Sequence, residues 1–138
     1  MNGRSSVRRA LLGALAALAC SAPGPRAVAL GEEDCAGCHM TVVDPRFAAE
    51  VVTTTGKVFV FDDPGCLVRF LEDGGMPAAE VHSLWMADYL APEQWLDVGE
   101  AVFLASPELR TPMAGNVAAL RPGPAADSLR AALGGELL

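Results

Sequence analysis

Residues 48–75 read AAEVVTTTGKVFVFDDPGCLVRFLEDGG, and they predict two strands followed by a helix. Val and Thr dominate residues 48–54, and residues 58–61 are apolar with branched or aromatic side chains. Both compositions favour β-strands. Because a Thr-Gly-Lys triplet centred on Gly56 lies between the two runs, we expect them to pair as a β-hairpin.

A helix is predicted directly after this hairpin. Asp63 is a suitable N-cap, and Pro64 fits the first helical position because its missing N–H group has no partner there in any case. Leu67 and Leu71 are four residues apart and therefore share one face of the helix. Gly74, followed by a second glycine, predicts the end of the helix.

The same order of elements recurs about 60 residues later, as an internal repeat would. Gly115 precedes an apolar run at residues 117–120, prolines follow, and residues 125–133 have helical composition before a second Gly-Gly pair. We therefore predict an α+β fold in which two strand-strand-helix (ββα-type) repeats form one small domain.

The segment between the two repeats has a less regular pattern. Residues 81–89 alternate enough to predict a strand, and residues 101–105 predict a shorter one. Pro92-Glu93-Gln94 predicts a loop between them, because proline usually interrupts a strand.

The N-terminus has the composition of a secretory signal peptide. The first nine residues contain three arginines and no acid, and an apolar run at residues 10–19 follows. This run is too short to span a bilayer. We therefore predict that the protein is exported to the periplasm, with residues 1–29 as the signal peptide and residues 30–138 as the mature domain.

Two cleavage sites remain open. Ala27-Val28-Ala29 fits the small-x-small pattern of ordinary signal peptidase. Alternatively, Ala17-Leu18-Ala19-Cys20 approximates a bacterial lipoprotein site, in which Cys20 would receive the lipid and anchor the protein to the membrane.

The charge of the predicted mature chain excludes a function in binding nucleic acid. Residues 1–29 contain four arginines and no acid, so their removal leaves 6 basic against 17 acidic residues, a net charge of −11. Such a surface repels nucleic acid and anionic lipid, and it attracts cations or a basic partner.

The chemistry of the chain is concentrated in Asp34-Cys35-Ala36-Gly37-Cys38-His39-Met40. Two thiols, an imidazole and a thioether stand within six consecutive residues, and so many soft donors predict a metal site. A thioether beside a thiolate favours Cu(I), because zinc and hard cations gain little from methionine.

Other uses of these residues stay open. Cys35, Cys38 and His39 complete the C-x-x-C-H pattern of covalent haem attachment, which makes a small periplasmic c-type cytochrome the main alternative. The same two cysteines could form a redox pair or a disulfide. A structural zinc site needs a second close pair of ligands, and Cys66 stands alone in the sequence, where we expect a core position for it.

The order of motifs resembles the NosL family, the accessory proteins of nitrous oxide reductase. The resemblance extends from Cys35 to the end of the chain. Its pieces, in order, are Cys35-x-x-Cys38-x-Met40, Asp44-Pro45-Arg46-Phe47-Ala48-Ala49-Glu50, Gly56-Lys57-Val58, Phe61-Asp62-Asp63, Cys66, Asp88-Tyr89, Ala101 with Phe103, Pro112-Met113 and Gly134-Gly135-Glu136.

This resemblance implies an α+β domain that binds Cu(I) and delivers it to the copper centre of nitrous oxide reductase. It also implies attachment by a lipid to the outer face of the cytoplasmic membrane. Cys38 and Met40 match the family's C-x-M pair, Met113 matches the methionine of a later Pro-Met segment, and Cys35 matches a cysteine found in many members.

A geometric expectation follows for these ligands. In an extended segment, side chains two residues apart point to the same side, so Cys38 and Met40 could reach one ion. Met113 would close the site from the second repeat. No Ser/His/acid arrangement stands out in the sequence, and we therefore predict a metallochaperone and not an enzyme.

Overall fold

A computed structural model describes residues 21–138 of the protein. This part of the chain contains two α-helices and seven β-strands, and the strands form two antiparallel sheets. The predicted α+β class is confirmed. The apolar run at residues 10–19 and the candidate lipidation site Cys20 lie outside the described residues, and their roles stay predictions.

The larger sheet contains the predicted hairpin and two further strands. Its strands are β1 (Ala49–Thr53), β2 (Val58–Phe61), β3 (Val81–Asp88) and β4 (Ala91–Asp97), in the order β2-β1-β3-β4. Every residue of β1 is buried. A central strand has neighbours on both sides, and this explains why its sequence is apolar throughout except for Glu50 and Thr53.

The smaller sheet belongs to the second repeat. It consists of β5 (Val102–Ala105), β6 (Val117–Leu120) and the short β7 (Glu136–Leu137), in the order β6-β5-β7. A backbone hydrogen bond of 2.9 Å from Tyr89 N to Ala119 O links the end of β3 to β6. The end of β3, an inner strand of the larger sheet, therefore meets β6, an edge strand of the smaller sheet.

Each ββα unit carries its own helix after its second strand. Helix α1 spans Pro64–Glu72, and helix α2 spans Pro124–Leu133. The predicted cap of α1 is confirmed, because the Asp63 side chain accepts a hydrogen bond from Gly65 N. Short 3₁₀ helices at Pro45–Phe47 and Ala78–Glu80 precede β1 and β3.

One expectation about the connecting segment is wrong. Residues 92–94, predicted as a loop, lie inside β4, which pairs with β3 through Leu96 and Met86. Because β4 is at the edge of its sheet, Pro92 can occupy it without removing a hydrogen bond between two central strands.

The segment just before the predicted domain boundary packs against the domain. Arg26 N donates a hydrogen bond of 3.0 Å to Glu50 Oε2, and the Arg26 guanidinium pairs with Glu33. Val28 packs on the core of the larger sheet. Cleavage after Ala29 would therefore remove the contacts that residues 26–28 make with the domain.

Glu50 makes the stability of the domain dependent on pH. It is fully buried in β1, an inner strand of its sheet, and burial raises its pKa from 4.5 to about 7. The folded state thus binds a proton that the unfolded state releases, so stability should fall as pH rises from about 4.5 to 7, by on the order of 2 kcal/mol. Chemical denaturation at pH 5 and pH 8 measures this difference.

The matched variant for this experiment is Glu50→Gln, which keeps the shape of the side chain and cannot ionise. Its stability should change much less between the two pH values. Glu80→Gln, at an exposed glutamate, should behave like the parent protein. Equal pH dependence in the parent and in Glu50→Gln would contradict the assignment.

Candidate metal centre

The Cys35–Met40 motif forms a closed loop against the edge of the larger sheet. Asp34 and Thr41 pair as an antiparallel bridge at its base, and Cys35 N donates a hydrogen bond of 2.8 Å to Met40 O. Ala36 N donates to Val60 O, also at 2.8 Å. This bond fixes the loop beside β2 and therefore beside the residues that follow β2.

Those residues are the start of α1. Asp62 comes directly after the last residue of β2, and Asp63 caps the helix. Cys66 lies in the first helical turn, where its backbone N–H donates a hydrogen bond of 3.0 Å to Asp63 O. The turn between strand and helix thus points a carboxylate and a thiol towards the loop.

The loop and the helix start bring four potential ligand atoms together. The Sγ atoms of Cys35, Cys38 and Cys66 and one carboxylate oxygen of Asp62 all lie within 4.8 Å of one another. Cys35, Cys66 and Asp62 are buried, while Cys38 is half-buried. All three thiols are free, and Cys38 Sγ lies 3.5 Å from Asp62 Oδ2, to which it can donate a hydrogen bond.

Gly37 makes this close approach possible. A Cβ atom at this position would lie 3.3 Å from Cys66 O and 3.6 Å from the Phe61 ring. A side chain at this position would therefore require the loop or the helix start to shift by a few tenths of an ångström. The glycine of the C-x-G-C sequence allows the thiols of the loop to reach Cys66.

The electrostatics of the cluster oppose the loss of protons from its thiols. Burial raises the pKa of the Cys35 thiol, and burial together with the hydrogen bond to Asp62 raises the pKa of the Cys66 thiol strongly. Without a cation, these thiols stay protonated at neutral pH. A coordinated metal ion reverses this balance because its positive charge stabilises the thiolates.

Of the methionines predicted as ligands, Met40 borders the cluster, and Met113 contacts the start of α1 through its backbone. Met40 is 58% exposed, and it lines an open cavity of about 330 Å³ together with Asp62 and Pro112. Met113 N donates a hydrogen bond of 3.1 Å to Asp63 Oδ2, and the Met113 side chain packs against the core that contains Cys35 and Cys66. The second repeat therefore contacts the helix start that carries the cluster.

The expected extended geometry between Cys38 and Met40 is wrong. His39 has a φ of +62°, in the left-handed region, and its N–H donates a hydrogen bond of 2.9 Å to Cys35 O. The segment is a tight turn, so the alternation of side chains in a strand does not apply to it. Both residues still border Asp62, because Cys38 contacts its carboxylate and Met40 shares its cavity.

The geometry disfavours the haem alternative. Covalent attachment needs both cysteines and the histidine to face one haem. Cys35 is fully buried towards Cys66, whereas His39 is exposed on the outer side of the turn. The motif therefore does not present its three groups to a common surface.

Sequence analysis missed Cys66 and Asp62 as members of this cluster. The expected core position of Cys66 is confirmed, since its exposure is 4%, but its sulfur also faces the motif. No local sequence pattern links either residue to the motif; both meet it because the loop is attached to β2, next to the residues that follow that strand.

Comparison with known proteins decides the family. Residues 27–138 match NosL, which is more than half of the chain. The chain belongs to the NosL family. No curated protein matches it.

A solved structure has the same fold. The crystal structure of the copper chaperone NosL from Shewanella denitrificans aligns with this NosL protein at a TM-score of 0.68 and 20% sequence identity. The alignment covers 84% of this chain and 93% of that chain. The two proteins therefore share the fold along nearly their full lengths.

Asp63 should be the most sensitive structural residue at the site. Its two carboxylate oxygens accept hydrogen bonds from Gly65 N, at 2.6 Å, and Met113 N. Asp63→Ala removes both bonds and leaves two partly buried N–H groups unpaired, so we expect a loss of about 2–3 kcal/mol in the free energy of unfolding. Urea denaturation of the metal-free protein measures this loss.

The control for this variant is Asp127→Ala, which removes an exposed aspartate from the first turn of α2. That change should cost less than about 0.5 kcal/mol. If the two variants were equally stable, Asp63 would not hold the two parts of the site together.

Proposed function

We propose that this NosL protein is a periplasmic metallochaperone that binds Cu(I) and delivers it to a cuproenzyme. Nitrous oxide reductase or its assembly machinery is the proposed recipient. The observation that carries the proposal is the convergence of three free thiols and Asp62 within 4.8 Å of one another. The fold, which the copper chaperone NosL from Shewanella denitrificans shares, supports it.

The donor atoms support copper in its monovalent state. Thiolates and thioethers are soft ligands, and they select Cu(I) over the hard cations of the periplasm. The proposed ligands are Cys38, Met40, Met113 and Cys35. Cys38 supplies negative charge and most of the affinity, and the two neutral thioethers bind the ion without holding it too firmly for transfer.

Partial exposure of the site supports a transfer function. Cys38 is half-buried and Met40 is largely exposed, so an acceptor's cysteine or histidine can reach the metal and replace these ligands one at a time. The acidic surface, with a net charge of −11 after residue 29, favours an acceptor with a basic face. Such a role involves no chemical conversion, and the protein is not an enzyme.

Attachment to the membrane is proposed to occur through Cys20. Within residues 21–138, neither helix is long and apolar enough to span a membrane. Cleavage before Cys20 would keep Arg26 and Val28, which contact Glu50 and the core. Cleavage after Ala29 would remove them and expose the buried carboxylate to water, and this difference favours the lipoprotein site.

The route of processing can be tested with two variants. Cys20→Ala should release the protein from the membrane fraction and abolish labelling by a fatty acid. Ala29→Leu blocks the small-x-small site at an exposed residue and should leave the processing unchanged. The intact mass of the mature protein measures the result, and a chain beginning at Leu30 would contradict lipidation.

Copper binding can be tested by titrating the reduced protein with Cu(I) against a chromophoric chelator. Cys38→Ala should weaken binding by more than about 100-fold, since the loss of a ligand exceeds the effect of losing an outer-shell partner. Met113→Leu keeps the size of the side chain and removes the sulfur, so it should weaken binding by about 10-fold.

The control for Met113→Leu is Met86→Leu, at a buried methionine of β3 that is outside the proposed ligand set. Its affinity for Cu(I) should equal that of the parent protein. Unchanged affinity in Cys38→Ala would contradict the proposed site. A Soret band in the spectrum of the purified protein would instead support the cytochrome alternative.

A further inference from the structure

We propose that Cys66 is a copper ligand, and that Cys35, Cys38 and Cys66 form an inner three-thiolate site behind the outer site of Cys38, Met40 and Met113. This inference rests on the proposed Cu(I) chaperone function. It assigns a metal-binding role to a cysteine distant from the motif in sequence, and it gives the copper two positions that share Cys38.

The first argument is geometric. The three sulfur atoms lie within 4.8 Å of one another, and they come from two elements, the motif loop and the first turn of α1. A metal ion at the centre of three sulfurs holds them at separations of about 4 Å, if each bond is about 2.3 Å long. Small changes of side-chain rotamer would therefore complete a trigonal site.

The second argument is an unpartnered carboxylate. Asp62 Oδ1 is buried and has no hydrogen-bond partner among the described residues, and only 3% of Asp62 is exposed. A buried carboxylate oxygen without a partner is costly. This oxygen belongs to the residue that lies against all three thiols, where a bound ion would supply the missing partner.

The third argument is the difference in exposure between the two positions. Cys35 and Cys66 are buried, so they cannot meet a partner protein directly. Cys38 is half-buried between them and the exposed Met40. Copper captured at the outer position can therefore move inward while one Cu–S bond, that of Cys38, stays intact.

The inward step is a ligand exchange without oxidation or reduction. The bonds from Cu(I) to the two thioether sulfurs break, and bonds to the sulfurs of Cys35 and Cys66 form. The two thiols release their protons to water, and copper stays Cu(I). The reverse exchange returns the ion to the outer position, where a partner can take it.

The consequence is a division of roles. The inner site holds the ion firmly because three thiolates bind Cu(I) more strongly than one thiolate with two neutral thioethers. The outer site exchanges it with partners. The burial of the inner site also keeps the ion away from competing small thiols in solution.

The experiment compares the mature protein with Cys66→Ala and with the double variant Met40→Leu/Met113→Leu, all in reduced form. Competition with a chromophoric Cu(I) chelator measures affinity, and copper X-ray absorption counts the sulfur neighbours of the ion. Cys66→Ala should bind at least about 10-fold more weakly, with fewer thiolates. The double variant should keep three sulfur neighbours, which the proposal assigns to Cys35, Cys38 and Cys66.

The outcomes separate the two proposals. Absence of Cu(I) binding in the parent protein would overturn the chaperone function itself. Normal binding in Cys66→Ala, with two sulfur neighbours in the double variant, would overturn the inner site and leave the outer one. Because Cys66 lies in the core, thermal denaturation of Cys66→Ala checks its folding. If Cys66→Ala does not fold, the sulfur count of the folded double variant still tests the inner site.

Discussion

The pair Asp62-Asp63, at the junction of β2 and α1, is the constraint on which the rest of the site depends. Asp63 caps the helix and accepts a hydrogen bond from Met113 N, so one carboxylate fixes the helix start and ties the second repeat to it. Asp62 contacts Cys38 from the other side. Two consecutive residues therefore define the positions of the loop, the helix and the distant Met113 segment.

The position of this junction also explains how a small domain tolerates two carboxylates and three thiols in one place. Its carboxylates and thiols lie at the end of a sheet, where one side is core and the other side opens to solvent at Cys38 and Met40. Ligands in the apolar interior would hold a metal permanently, whereas fully exposed ligands would lose it to competitors. A site at the boundary is compatible with both retention and transfer, as the proposed function requires.

Membership of the NosL family and the shared fold support this interpretation, but the individual ligands depend on the geometry. The match over residues 27–138 establishes the family, and the aligned crystal structure establishes the fold. Cys66 shows what the geometry adds. Its sequence context is that of an ordinary core residue, and only its distance to the other sulfurs indicates a role in metal binding.

The sequence by itself determined the local structure of both ββα units, because the signals act between near neighbours. The hairpin around Gly56, the Asp63 cap and the strand at Val117–Leu120 all follow from short-range rules. The sequence also indicated the metal-binding motif, since soft donors adjacent in the chain stay adjacent in space. The prediction of a loop at Pro92 was wrong, because the rule against proline in strands does not hold at the edge of a sheet.

Only the tertiary structure decided which residues meet at the site. The approach of Cys66 to Cys35 depends on one backbone hydrogen bond, from Ala36 N to Val60 O, and on the absence of a side chain at Gly37. The left-handed turn at His39 depends likewise on the closure of the loop. Contacts between residues about 30 positions apart arise from the packing of whole elements, and no local pattern in the sequence encodes such packing.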